Sequence, residues 1–121
     1  MMPPATPESE VLRAIHARLG SRPDVRLWRV NVAVAVPISQ ACPRCRPKAI
    51  RFGLPGMADL LGIVAPSGRM LSVEIKSEEG RMSKEQVAWS EMVTKFGGVS
   101  LAPVRSVDMA EAMLEEAMHA H

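Results

Sequence analysis

The sequence predicts an α/β fold in which helices flank a central mixed sheet, in the order helix, three or four strands, helix, strand, helix. Three observations carry this reading. The run RLWRVNVAVAV alternates as a strand does, two apolar runs at residues 60–64 and 70–76 flank a Pro-Ser-Gly turn, and Ser83 opens a helical pattern with a glutamine three residues on.

Residues 1–7, with Pro3, Pro4 and Pro7, read as a disordered lead-in to a single domain over residues 8–121. Thr6 or Ser9 stands where a cap would open a helix carrying Val11, Leu12, Ile15 and Leu19 on one face and ending near Gly20. Residues 26–36 then form one strand, with Val30, Val32, Val34 and Val36 on one side and Arg29 and Asn31 on the other. Residues 37–55 hold both cysteines and much of the positive charge, and are expected to make an irregular or hairpin excursion with residues 48–52 as its returning strand. After a glycine-bounded turn at residues 53–56 comes the hairpin of residues 60–64 and 70–76. The second helix starts at Ser83 with Gln86 completing a capping box. It carries Val87, Trp89, Met92, Val93 and Phe96 and stops at Gly97 and Gly98. A strand at residues 99–104 leads to a last helix from Ser106 to about Met118, with Met109, Ala110, Met113, Leu114 and Ala117 as its core face.

With 121 residues, 47% apolar, the chain can bury a core, but Trp28, Trp89, Phe52 and Phe96 are its only aromatics. That core is aliphatic and Met-rich, and a stacking platform of clustered aromatics for single-stranded nucleic acid is disfavoured. No apolar run reaches the roughly 18 residues of a membrane span, and the proline-rich start is unlike a secretion signal. Two cysteines make no extracellular disulfide framework, so the chain reads as cytoplasmic.

Charge is segregated. Residues 1–58 carry nine basic and three acidic side chains, the remainder six and ten. Between Asp24 and Asp59 there is no acid, while Arg26, Arg29, Arg44, Arg46, Lys48 and Arg51 all fall there. Unopposed cations repel one another, and an anionic partner, nucleic acid first, relieves that repulsion; a solvated basic face is the plain alternative.

Glu74 and Lys76 are two apart on a strand and share a face with Ser72, while Val73 and Ile75 point the other way. If the turn pairs residue 64 with 70, Asp59 lies near the level of Glu74 or Lys76, and two carboxylates meet an ammonium. A solvated strand face and a turn aspartate are the alternative. Against it, the strand after Asp59 is wholly apolar, as buried strands are, and a carboxylate at its mouth needs a partner. A divalent ion is a natural neutraliser of paired carboxylates, and oxygen-only ligation selects Mg²⁺ or Mn²⁺ over zinc.

The stretches GLPGMADLLGI, LSVEIKSEEGRMSKEQVAW and FGGVSLAPVRS resemble the VRR-NUC domains (virus-type replication-repair nucleases) of the PD-(D/E)XK superfamily, of the stand-alone phage and bacterial type. Asp59, Glu74 and Lys76 match the superfamily triplet. The resemblance implies a restriction-endonuclease-like core of αβββαβα order and a metal-dependent, structure-specific DNA endonuclease akin to resolvases of branched DNA, acting as a homodimer. It implies Asp59 and Glu74 as ligands of Mg²⁺ or Mn²⁺ with the Ile75 carbonyl, Lys76 orienting or deprotonating the attacking water, Gln86 supporting the site, and a glutamate from the first helix, Glu8 ahead of Glu10. One departure stands in WRVNVA, where the family pattern reads Trp-Arg-Asn-Asn with a glycine two residues later; Arg29 and Asn31 remain. Arg29, Asn31, Arg44, Arg46, Lys48 and Arg51 are the candidate DNA contacts.

Cys42 and Cys45 have the spacing of half a zinc site, which a dimer or the tail histidines would have to complete; an unmetallated hairpin is the simpler reading. His16 reads as a surface or boundary residue. Two other functions stay open on these residues: a DNA-binding module with an inactive nuclease site, and a zinc-dependent interaction module built on Cys42 and Cys45.

Overall fold

The structure, a computed structural model, describes residues 7–30, 33–35 and 50–119. In chain order they form α1 (Pro7–Gly20), β1 (Val25–Arg29), β2 (Ala33–Ala35), β3 (Ile50–Phe52), β4 (Leu60–Val64), β5 (Arg69–Ile75), α2 (Lys84–Lys95), β6 (Val99–Val104) and α3 (Val107–His119). Four strands make a mixed sheet in the order β1-β4-β5-β6, antiparallel up to β5 and parallel between β5 and β6. With its helices this sheet has the αβββαβα order of a restriction-endonuclease-like core.

One face is covered by α1 and α3. Leu12, Ile15 and Leu19 from α1 and Ala110 and Leu114 from α3 pack on Val25, Leu60, Leu71, Val73, Ile75 and Leu101, almost all of them withdrawn from water. Burial of this aliphatic set is the main favourable term holding the layers together. The other face carries α2 over β5 and β6, with a smaller cluster of Ala58, Leu61, Trp89 and Val93. Trp89 donates its indole Nε1 to the buried Ser72 hydroxyl at 3.0 Å, so this polar group beneath α2 is paired.

The hairpin, α2, β6 and α3 fall where the sequence puts them, whereas the run at residues 26–36 does not form one strand. It divides into β1, in the main sheet, and β2, which pairs with β3 in a separate two-stranded ribbon. The cause is the partner. Val30 N–H still bonds the Asp59 carbonyl at 2.9 Å, and β4 begins just after Asp59, so the β1–β4 ladder ends at that point. The hairpin register also differs by one: Val64 pairs with Arg69, because Gly68 N–H closes the turn on the Val64 carbonyl at 2.9 Å.

Helix α1 starts at Pro7, which places Ser9 inside the helix and not at its cap; Thr6 lies outside the described residues. Met109, expected on the core face of the last helix, is exposed instead, as are Val87 and Phe96 on α2. Val87 and Phe96 lie off the α2 face defined by Trp89 and Val93, and Met109 lies off the α3 face defined by Ala110 and Leu114. His16, read as a boundary residue, donates Nε2 to the Leu27 carbonyl at 3.1 Å and ties α1 to the edge strand. No helix among the described residues is long and apolar enough to cross a membrane.

Candidate active site

The site forms where β4 begins and β5 ends. The register that joins Leu60 to Val73 puts Asp59 level with Glu74, and residues directly opposite in an antiparallel pair share a face. That face is the one under α2, because Ser72 and Glu74 both bond side chains of that helix.

Asp59 is held from two directions. Its backbone carbonyl takes the Val30 amide, and its side-chain Oδ2 accepts the Ile75 N–H at 2.8 Å, so the carboxylate caps the end of the β4–β5 ladder. The N–H and C=O of one strand residue point the same way, so the Ile75 carbonyl is directed toward Asp59 as well. Gly56, at φ +78°, packs its Cα against the first turn of α2. A Cβ there would stand 2.1 Å from the Glu85 carbonyl oxygen, so only glycine lets the loop before Asp59 lie so close to Gln86.

Glu74 is 4% exposed, and its Oε2 is buried with no hydrogen-bond partner among the described residues. Its Oε1 accepts from Gln86 Nε2 at 3.0 Å and lies 3.9 Å from Lys76 Nζ. Burial pushes the Glu74 carboxyl up to about 8; the Asp59 carboxylate beside it adds to the rise, Lys76 opposes it, and Glu8 adds a further push. A carboxyl held in this state is costly to ionise without a cation to share its charge.

Gln86 connects the helix cap to the carboxylate. Its backbone N–H bonds the Ser83 hydroxyl at 3.1 Å, and its side-chain oxygen accepts the Ser83 N–H at 2.8 Å. With the amide oxygen fixed by the capping box, the amide nitrogen is turned toward Glu74. A glutamate would complete the same box but has no donor to offer.

After Lys76 the chain is clamped by Arg105, whose Nη1 donates to the Ser77 carbonyl, to the Glu78 carbonyl at 3.1 Å and to the Gly80 carbonyl at 2.8 Å. The Lys76 amide meanwhile bonds the Val104 carbonyl at 3.0 Å. Arg105 therefore sets the exit path of the strand that carries Glu74 and Lys76. The sequence reading missed this role: Arg105 lies within FGGVSLAPVRS, but its partners are 25 to 28 residues away, beyond any local pattern.

Of the residues singled out from sequence, Asp59, Glu74, Ile75, Lys76 and Gln86 converge, and Glu8 on α1 is near enough for its charge to act on Glu74, while Glu10 is exposed. Arg29 lies exposed on β1, and Arg51 falls within β3. Asn31, Cys42, Arg44, Cys45, Arg46 and Lys48 lie outside the described residues. His119 sits at the end of α3, with Nε2 3.3 Å from Glu115.

Among the described residues no group of three or more His, Cys, Asp or Glu side chains is gathered to hold a metal. The donors at hand are two carboxylates and a carbonyl, all oxygen. That set suits a hard divalent cation, and the buried Glu74 Oε2, without a hydrogen-bond partner among the described residues, is the oxygen left over to face one.

An α/β core with paired acids and a lysine at the end of its hairpin belongs to the restriction-endonuclease-like class. Within that class the chain belongs to the VRR-NUC domain family, whose family model matches residues 6–107. The sequence matches none of the curated proteins with which it was compared. The VRR-NUC domain is a nuclease domain, so the protein is a DNA hydrolase of the endonuclease kind.

Proposed function

We propose that the protein is a Mg²⁺- or Mn²⁺-dependent, structure-specific DNA endonuclease that acts as a homodimer on branched DNA in the manner of a junction resolvase. The observation that carries the metal dependence is the buried oxygen of Glu74 beside Asp59, which has no hydrogen-bond partner among the described residues. Asp59, Glu74 and the Ile75 carbonyl would hold the cation, which when bound stabilises charge on the scissile phosphate and lowers the pKa of a water. The chain's own groups do the rest. Gln86 and the Ile75 amide fix the two carboxylates in one orientation each, so little reorganisation accompanies the reaction. Lys76, mostly withdrawn from solvent with its Nζ near Glu74, orients the attacking water and carries positive charge to the phosphate. Glu8 adds a third carboxylate at the margin of the site.

Branched DNA is favoured because the candidate grip is made of cations that contact phosphate and leave base edges unread. A second copy would give two active sites for paired cuts. The test is a panel of linear duplex, flap, splayed-arm and four-way-junction DNA with Mg²⁺, Mn²⁺ or chelator, with the cuts mapped. Metal-dependent cleavage of the junction in symmetric pairs supports the reading in full. Cutting that persists in chelator removes the metal, and tight binding without cutting under any condition leaves a DNA-binding module. Zinc that is retained by the wild type and lost on changing Cys42 or Cys45 favours the interaction module.

A further inference from the structure

The face of the sheet that carries Asp59 and Glu74 is only half covered. Helix α2 packs over β5 and β6, and among the described residues no helix covers the β1 side of that face; β1 is the edge strand of the four-stranded sheet. Trp28 lies there. It stands directly across from Leu61, which belongs to the cluster beneath α2, so its indole is on the same face as the two carboxylates, one row back from them. From standard strand spacing its Cα is about 8 Å from that of Asp59. Trp28 is nevertheless 50% exposed, whereas Trp89, the other indole of the chain, is 8% exposed and hydrogen-bonded.

The next cross-strand pair along the same face is Arg26 with Ile63, and Ile63 is 45% exposed. Both line a cleft of about 330 Å³ that runs on to Pro23 and Pro66. Asp24 at its border is paired with Arg22, at 2.9 Å, so its charge is already met. An open aromatic face followed by a cation and an apolar floor, in line with two phosphodiester-cleaving candidates, is the arrangement that holds a nucleotide: the indole takes the base and the guanidinium the backbone.

We propose that Trp28 is a stacking site for an unpaired nucleobase next to the scissile phosphate, with Arg26 on the adjoining phosphate, so that among branched DNAs those with unpaired nucleotides at the cut are held more tightly than fully paired ones. For its substrate the proposal rests on the nuclease reading above. It differs from a platform of clustered aromatics, for which the chain has too few rings: one indole beside the site selects a single position. A base held in a duplex is stacked on both faces by its neighbours and has no free face to offer, so the contact discriminates for unpaired strands.

The test uses full-length wild type, Trp28→Phe and Trp28→Ala, with thermal melts to verify folding. Binding is measured in chelator to duplex, to splayed-arm DNA, and to the same splayed-arm DNA with abasic sites at the unpaired positions. The expected result is a loss for Trp28→Ala that is about tenfold larger on splayed-arm DNA than on duplex, with Trp28→Phe keeping most of the affinity. Wild type should bind the abasic DNA about as weakly as Trp28→Ala binds the intact one, and indole quenching by splayed-arm DNA should vanish in Trp28→Ala. Equal losses on both DNAs overturn the proposal. So does a shift from dimer to monomer in sedimentation that accounts for the loss, since Trp28 then covers a second copy. If wild type cuts nothing with any metal but the binding differences hold, the nuclease reading falls and the stacking site stands. If wild type cuts and Trp28→Ala discriminates as wild type does, the stacking site alone falls.

Discussion

Glu74 is a carboxyl with one oxygen held by Gln86, the other without a hydrogen-bond partner among the described residues, and a second carboxylate beside it. Its proton is therefore linked to stability. Unfolded, the group ionises near 4.5; folded and free of metal it keeps its proton up to about 8. Between these values the native state binds more protons than the unfolded state, so stability of the metal-free protein falls as pH rises from about 4.5 to about 8 and levels off beyond. Thermal melts of wild type across this range in chelator should show that decline, and Glu74→Gln, neutral at every pH, should flatten it. A slope unchanged in the variant would assign the titration elsewhere. The same substitution separates folding from chemistry. At pH 7.5, Mg²⁺ or Mn²⁺ at about 100 times its dissociation constant should stabilise wild type by about 2.7 kcal/mol and leave Glu74→Gln unmoved. Glu74→Ala and Lys76→Ala should abolish cleavage while DNA binding stays close to wild type, measured by gel assay and anisotropy side by side.

At the scale of elements, the site depends on how α2 meets the hairpin, and two substitutions divide that contact into its parts. Gln86→Glu keeps the capping box with Ser83 but replaces the donor to Glu74 with another anion. Melting should change little while cleavage falls about 10- to 100-fold, the usual cost of disturbing a group that orients a ligand. Gly56→Ala acts through the backbone: φ +78° and a Cβ 2.1 Å from the Glu85 carbonyl force the loop before Asp59 off the helix, at a cost of about 2 to 4 kcal/mol in denaturant unfolding. How legible these elements were follows from the range of the forces that make them. The Ser83–Gln86 box and the Pro66–Gly68 turn are short-range, and the sequence declares both. The meeting of Asp59 with Glu74 follows from that turn to within one residue, the error being the extra position the turn does not consume. The division of β1 from β2 was hidden because alternation tells that a run is extended and not where its partner strand ends. The burial of Glu74 was hidden too, since E-x-K reads as a half-exposed strand until α2 is laid over it. Arg105 reaches back to the loop after β5 across a parallel connection, and no window of sequence contains both ends of that contact.

Across the whole molecule, charge is divided between the two halves of the chain. The acids of the site lie in the half of the chain that carries six basic and ten acidic residues, and on their own they repel the phosphate they are to cleave. The compensating cations are in the other half, between Asp24 and Asp59, where no acid intervenes. If that stretch grips the backbone, its contribution is counterion release, and the salt dependence of binding counts the phosphates it neutralises, at a slope of about −0.9 per contact on duplex DNA. Neutralising Arg44, Arg46 and Lys48 together should then weaken binding and make the slope shallower by about 2 to 3, with the loss uniform across DNA sequences. Cleavage of DNA already bound, followed at saturating enzyme in a single turnover, should proceed near the wild-type rate, because none of the three belongs to the Asp59–Glu74–Lys76 cluster. The binding isotherms between about 50 and 200 mM salt decide the matter: a slope that does not change would place the grip on other cations, with exposed Arg26 and Arg29 on β1 the next to be neutralised.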